Sequence, residues 1–219
     1  MAKRLLALDL DGTTLNHMGE LAPAVRDAVV ALPDDVEVVI ATGRPILATT
    51  PILEQLGLRH GFAVCANGAI TLQLDPSSES GYAIVDMVTF DPRDVLEKMR
   101  AALPDARIAV EEPGVGFKVS KFFPDGELMG DSREVAWDEL VANPVTRVTL
   151  RQPEATAEEF LGMVERAGLH GVSYAVGWSA WLDINPEGVS KASALELVRR
   201  RIGVEIGRAS CRERVLLGV

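Results

Sequence analysis

The stretch LLALDLDGTTLN at residues 5–16 sets two carboxylates, Asp9 and Asp11, at the end of an apolar run and just before a glycine and two threonines. Ionised carboxylates next to buried apolar residues are costly unless they are paired, hydrogen-bonded or metal-bound. A turn beyond a strand end, eased by Gly12, lets both acids face one crevice. A hard divalent cation such as Mg2+ would satisfy them, because it takes carboxylate oxygens, keeps waters and binds substrate phosphate. Two carboxylates in different surroundings also divide labour, one as nucleophile and the other as general acid and base. A phosphoryl group is the electrophile that uses all of these parts.

Three other polar segments follow or interrupt apolar stretches. ATGR offers Thr42, Gly43 and Arg44, ANGA offers Asn67, and GVSK ends on Lys191. Asn67 suits a hydrogen bond to phosphate and equally suits ordinary Asn-Gly turn chemistry. Arg44 suits an anion or a pairing carboxylate. Lys191 opens a helical pattern, where a cation opposes the helix dipole and a nearby anion would resolve the mismatch.

These residues need elements to hold them. LLALDL is short and followed by glycine, which predicts a strand buried on both faces. Leu21, Ala24, Val25, Ala28, Val29 and Leu32 then recur at helical spacing, with Pro23 suited to a first turn. VEVVIATGR is a second buried strand, so the three elements form a right-handed parallel unit. RPILATTPILEQLG predicts a helix with Pro45 near its start, a kink at Pro51 and a stop at Gly57. FAVCANGAITL supplies a third strand that ends at NG, where a turn is expected. In open parallel sheets ligands bind outside the carboxyl ends of strands, so DLDGT, TGR and ANGA should converge on one crevice.

From Tyr82 the pattern changes to shorter alternating runs, YAIVDMVTF, ARIAVEE, GFKVSKFF, VTRVTLRQ, VSYAVGWS and AWLDINPE. Helical patterns at PRDVLEKMRAAL, SREVAWDEL and TAEEFLGMVERAG lie between them. Residues 82–182 therefore read as an inserted α+β domain with a mostly antiparallel sheet. Lys118, Lys121, Trp178 and Trp181 within it read first as core or surface residues. The helix VSKASALELVRRRIG, with Ala194, Leu195, Val198 and Ile202 on one face, returns the chain to the first domain.

The 219 residues are 47% hydrophobic and 25% charged, enough for one medium-sized domain or one carrying a smaller one. A net charge of -10 argues against a nucleic-acid or anionic-membrane partner. The acids break the N-terminal apolar run too early for a signal peptide, and no stretch approaches a membrane span. Two cysteines, Cys65 and Cys211, fit a reducing cytoplasmic setting. His17, His60 and His170 are isolated from one another, which argues against a zinc cluster.

DLDGTTL, ATGR and GVSK, in this order, resemble motifs one, two and three of the haloacid dehalogenase superfamily of phosphatases. The long insertion between ATGR and GVSK, with ANGA before it and DINPEGVSKASAL after it, resembles the Cof-type branch. The resemblance implies an α/β fold: a Rossmann-like parallel-sheet core over residues 1–81 and 183–205, with an inserted α+β cap domain of the C2 type over residues 82–182. It also implies roles. Asp9 would form an aspartyl phosphate, and Asp11 would protonate the leaving oxygen and then activate water. Thr42 would hydrogen-bond the transferring phosphoryl group and Lys191 would neutralise its charge. Asp9 and the Asp11 backbone carbonyl would hold Mg2+, and Gly43, Arg44 and Asn67 are the further phosphate-binding candidates. The implied activity is hydrolysis of a small phosphorylated metabolite, with sugar phosphates leading. The cap would contribute to substrate choice.

The sequence departs from that pattern near its end. The family's fourth motif, GD followed closely by ND, does not follow the lysine helix. Instead IGRASCRERV at residues 206–215 resembles an in-frame translation of a sequencing-library adapter joined to a truncated gene, with a short basic helix as the other reading. Residues 206–219 are thus expected to be a non-native tail without a strand. LLALDL would then be a bare apolar edge, and the polypeptide would be poorly soluble and short of metal affinity. Two other functions stay open, a phosphomutase and a catalytically inactive phosphate- or metal-binding fragment. An EF-hand is excluded, because Gly12 falls at the fourth loop position rather than the sixth and a strand precedes the loop. Oligomeric state is left open by the sequence.

Overall fold

The computed structural model describes residues 3–176 and 180–212, so Trp178 lies outside the described residues. In chain order the elements are β1 (Arg4–Leu8), α1 (Pro23–Val30), β2 (Val36–Ala41), α2 (Ile46–Leu56), β3 (Gly61–Cys65), β4 (Ile70–Leu74), β5 (Tyr82–Met87), α3 (Arg93–Ala102), β6 (Arg107–Glu112) and β7 (Gly116–Val119). They continue with β8 (Asp131–Glu134), α4 (Trp137–Leu140), β9 (Val148–Arg151), α5 (Ala157–Ala167), β10 (Val172–Val176), β11 (Trp181–Pro186), α6 (Lys191–Arg201) and β12 (Ala209–Arg212). The chain forms two compact units. One contains Met1–Met87 and the chain from Ser190 onward, the other Val88–Val189.

The first unit is built on a six-stranded sheet ordered β12-β1-β2-β3-β4-β5. β12, β1, β2 and β3 run parallel, and β4 and β5 continue the sheet antiparallel. Leu5, Ala7, Val39, Ala41, Phe62 and Val64 pack with Ala194 and Val198 of α6 and with Val204. Val38 and Ile40 of β2 are also buried. Burial on alternate positions of both faces is why these strands read as continuous apolar runs. α2 starts after Pro45 and ends on Gly57 with φ 74°, as the helix signals predict. α1 forms at the expected place, but none of its residues is buried.

Three expectations need correction. The first concerns the insertion, which opens six residues later than expected, since β5 pairs antiparallel with β4 and belongs to the first sheet. It also closes later, since β11 pairs with β10 and β9 through the expected boundary. By contrast, the turn expected at Asn67 and Gly68 forms, and β3 ends just before it. Positive φ at Ala66 and Asn67 (49° and 54°) reverses the chain into the separate strand β4. The second concerns the tail, which does contain a strand. Leu5, Leu6, Ala7 and Leu8 pair in parallel with Ala209, Ser210, Cys211 and Arg212, so LLALDL is not a bare edge. A ladder is made by main-chain groups, so the unpaired side of β1 accepts a segment whose side chains carry no strand pattern. The third concerns SREVAWDEL, which splits into β8 and the single turn α4.

The second unit has a six-stranded sheet ordered β10-β11-β9-β6-β7-β8, antiparallel except for β7 with β8. One face carries Ile108, Val110, Val148, Leu150, Leu182 and Ile184 against α3 and α5. α5 begins with a reciprocal cap in which Thr156 and Glu159 each bond the other's backbone N–H. The opposite face carries Ala109, Phe117 and Val119 with Phe123, and Trp181 meets Phe123 edge to face at 5.8 Å. Trp181 is thus a packing residue, Lys118 pairs with Glu112, and Lys121 is exposed.

On that opposite face Glu111 is buried beside Arg147, whose Nε lies 3.0 Å from Glu111 Oε2 and whose guanidinium covers the Phe117 ring. Burial pushes the Glu111 carboxyl up, against the opposing pull of Arg147. A raised pKa means that the folded chain keeps a proton that the unfolded chain has lost. Stability is therefore expected to fall as pH rises above the ordinary glutamate value of 4.5. Glu111→Gln removes that contribution. Urea denaturation across this range should show a shallower decline for the variant than for the parent, and equal slopes would place the Glu111 carboxyl at its ordinary value.

Candidate active site

Asp9 follows β1 directly and is only 9% exposed, whereas the Asp11 side chain is 60% exposed. Leu10 between them is fully buried and anchors the turn. The Thr14 hydroxyl donates to the Asp9 carbonyl at 2.6 Å and the Thr14 N–H donates to the same oxygen at 3.2 Å. Gly12, with φ 71°, makes this return possible. The loop therefore fixes the Asp9 backbone while its carboxylate turns to Lys191, whose Nζ donates to Asp9 Oδ1 at 3.0 Å.

Lys191 is the first residue of α6, and Ser190 and Ser193 cap that helix reciprocally. A lysine there opposes the helix dipole, and the buried carboxylate of Asp9 offsets the mismatch. Between α6 and the sheet lies a cavity of about 260 Å³ that Asp9 and Lys191 line together with Leu5, Ala7, Ala41 and Leu195. Apolar walls of this kind strengthen charge interactions at the pair.

At the tip of β2, Thr42 is fully buried and its hydroxyl accepts from the Arg44 N–H at 3.1 Å. The Thr42 carbonyl accepts from the Asn67 N–H at 3.1 Å, and the Arg44 carbonyl accepts from the Ala66 N–H at 3.0 Å. These bonds clasp the ATGR loop to the short turn Ala66–Gly68. A Cβ on Gly43 would stand 2.7 Å from Asn67 Oδ1, so any larger residue there would displace the Asn67 amide. Gly68 brings the turn against α6. Its φ is 102°, and a Cβ would stand 2.2 Å from the Ser190 carbonyl oxygen. Asp9, Thr42, Gly43, Asn67 and Lys191 are gathered in this way at one end of the first sheet.

Of the two partners that the sequence offers Arg44, an anion or a pairing carboxylate, the structure shows the carboxylate. Its Nε donates to both Asp11 oxygens at 3.2 and 3.0 Å, and its Nη2 donates to Asp11 Oδ1 at 2.6 Å. The Asp11 hydrogen bonds, foremost, hold the guanidinium above its ordinary value, with burial acting the other way. Sequence reasoning assigned no role to Thr14 or Ser190. Thr14 was visible in the DGTT segment, and Ser190 in the serine three residues before Ser193.

The donor set for a metal is small. Among the described residues no group of three or more His, Cys, Asp or Glu side chains is placed to share an ion. The Asp9 carboxylate and the Asp11 backbone carbonyl suit a hard divalent cation that keeps waters and completes its shell with substrate phosphate better than a fully caged ion.

The Gly68 contact yields a direct test. Gly68→Ala forces both a strained φ and a backbone clash, and should cost at least about 2 kcal/mol in a denaturation titration. A variant as stable as the parent would show that α6 does not rest on the Ala66–Gly68 turn.

The model of the haloacid dehalogenase-like hydrolase family matches residues 6–109 of this chain. Protein M6_Spy0533 of Streptococcus pyogenes serotype M6 is 39% identical over 101 residues, which cover 44% of this chain and 35% of that protein. The chain thus spans about a third of the length of this curated relative. A haloacid dehalogenase-like hydrolase from Bacteroides thetaiotaomicron shares the fold with a TM-score of 0.77 at 18% identity, over 95% of this chain and 80% of that one. The subclass IIB sugar phosphatase BT4131 gives a TM-score of 0.71 at 18% identity, over 95% and 80% of the two chains. DLDGTTL, ATGR and GVSK meet at one end of a sheet of this same fold, and over residues 6–109 the chain is similar to the haloacid dehalogenase-like hydrolases.

Proposed function

We propose that the protein is a phosphoric monoester hydrolase that cleaves a small phosphorylated metabolite, a sugar phosphate, through an aspartyl phosphate on Asp9. The observation that carries this reading is the Asp9 carboxylate, buried at a strand tip and held by Lys191 Nζ at 3.0 Å. A carboxylate fixed in this way is oriented for in-line attack.

In the first half-reaction an Asp9 carboxylate oxygen forms a bond to phosphorus as the bond to the ester oxygen breaks. That oxygen takes a proton from the Asp11 carboxyl. In the second, the Asp11 carboxylate takes a proton from water as the water oxygen attacks phosphorus, and the Asp9–phosphorus bond breaks to release inorganic phosphate. Lys191, the Thr42 hydroxyl and the Asn67 amide surround the equatorial oxygens where negative charge is spread. Asp9 and the Asp11 carbonyl are the residues that would hold Mg2+. When bound, the ion supplies further charge neutralisation at those oxygens.

The sugar-phosphate assignment draws support from the fold shared with a sugar phosphatase. The net charge of -10 supports a small-molecule substrate rather than nucleic acid. Among the described residues no helix is long and apolar enough to cross a membrane. A cytoplasmic setting is part of the reading, supported by a sequence with two cysteines and no disulfide framework.

Inorganic phosphate release from a panel of sugar phosphates, with Mg2+ and after its chelation, tests the reading. Asp9→Asn should lower turnover by at least about 10³-fold and Lys191→Met by about 10²-fold or more. Chelation should abolish it. Retained turnover in Asp9→Asn, or an isomerised sugar phosphate in place of inorganic phosphate, would overturn the assignment.

A further inference from the structure

Resting on that reading, we propose that Arg44 is a positioning residue for Asp11 and not a ligand of the phosphoryl group. Lys191 Nζ lies 3.0 Å from Asp9 Oδ1 and Arg44 Nη2 lies 2.6 Å from Asp11 Oδ1. Within the second pair the burial is lopsided, with side-chain exposures of 15% for Arg44 and 60% for Asp11. The buried partner is the fixed one and the exposed partner is the one guided. Exposed ion pairs are individually weak, but a forked pair with one member anchored has defined geometry.

The anchoring of Arg44 is visible on three sides. Its N–H is tied to the Thr42 hydroxyl and its carbonyl to the Ala66 N–H. Its guanidinium runs under the turn before Glu20, where a Cβ on Gly19 would stand 3.8 Å from Arg44 Nη2. That turn is itself knotted by Asn16, whose Oδ1 accepts from the Met18 and Glu20 N–H groups at 2.9 and 3.0 Å. The Nε and Nη2 edge of the fork is committed to Asp11 in all three contacts. Turning that edge to a phosphoryl oxygen would release Asp11 from the position the loop gives it.

A residue that acts through the general acid should matter in proportion to how much the leaving group needs a proton. An alkoxide leaving from a hexose phosphate needs one, whereas 4-nitrophenolate leaves without it. Arg44→Gln should lower kcat for the hexose phosphate by about 10²-fold, lower kcat for 4-nitrophenyl phosphate far less, and leave both KM values near those of the parent. Arg44→Lys restores charge without the fork and should recover only part of the loss. Asp11→Asn should discriminate between the two substrates in the same way. Equal losses on both substrates with raised KM would make Arg44 a phosphate ligand and overturn the proposal. Discrimination by Asp11→Asn but not by Arg44→Gln would also overturn it, while leaving the hydrolase reading standing. If the parent hydrolyses neither ester, the hydrolase reading fails and stability still reports on the pair. Partnered residues make the double variant no less stable than Arg44→Gln alone, and additive losses would overturn the pairing.

Discussion

A carboxylate at the end of a buried strand has to be compensated, and here the compensation comes from a lysine 182 residues away. The Asp9–Lys191 pair sets the demands on the rest of the first unit. β1 must end where α6 begins, α6 must arrive with its N-terminus toward the acid, and the turn between them must have no side chain in the way. Gly68 meets the last demand by letting a backbone turn rest on the Ser190 carbonyl. The serine cap of α6 meets the second, because it satisfies the first helical N–H groups without help from the lysine.

The parallel arrangement explains why so few residues suffice. Each parallel strand delivers its carboxyl end to the same side of the sheet, so three short polar segments are neighbours without being near in sequence. The hydrogen bonds from Asn67 and Ala66 to the ATGR loop then remove the remaining freedom. Little of the site depends on long side chains reaching across space. Lys191 and Arg44 are the exceptions, and each reaches a carboxylate of the site.

Much of this was legible in the sequence because the site lies where apolar runs stop. LLALDL, VEVVIA and FAVC announce strands, and the polar residues that follow them are the site. Arg44 was harder to place, since ATGR shows a cation but not which anion lies opposite it in space. The insertion boundaries were misplaced because YAIVDM alternates like the strands that follow it, and alternation does not say which sheet a strand joins. α1 was found by its spacing, although its apolar face is not buried in this unit. β12 was missed for a deeper reason. ASCR has no apolar alternation, and what recruits it is the open ladder of β1, a property of a different part of the chain.

That last pairing also has a temporal consequence. One neighbour of β1, the strand β2, follows it closely in the chain, but the other follows only after α6. During synthesis the strand that carries Asp9 therefore emerges early and waits, with one side unsatisfied, while the whole inserted unit is made. Non-local pairings of this kind are slow to form and leave a strand edge open to other chains in the interval. The inserted unit carries its own sheet and core, so it has the parts to fold without that wait. The most vulnerable surface during folding would then be the strand that leads into Asp9.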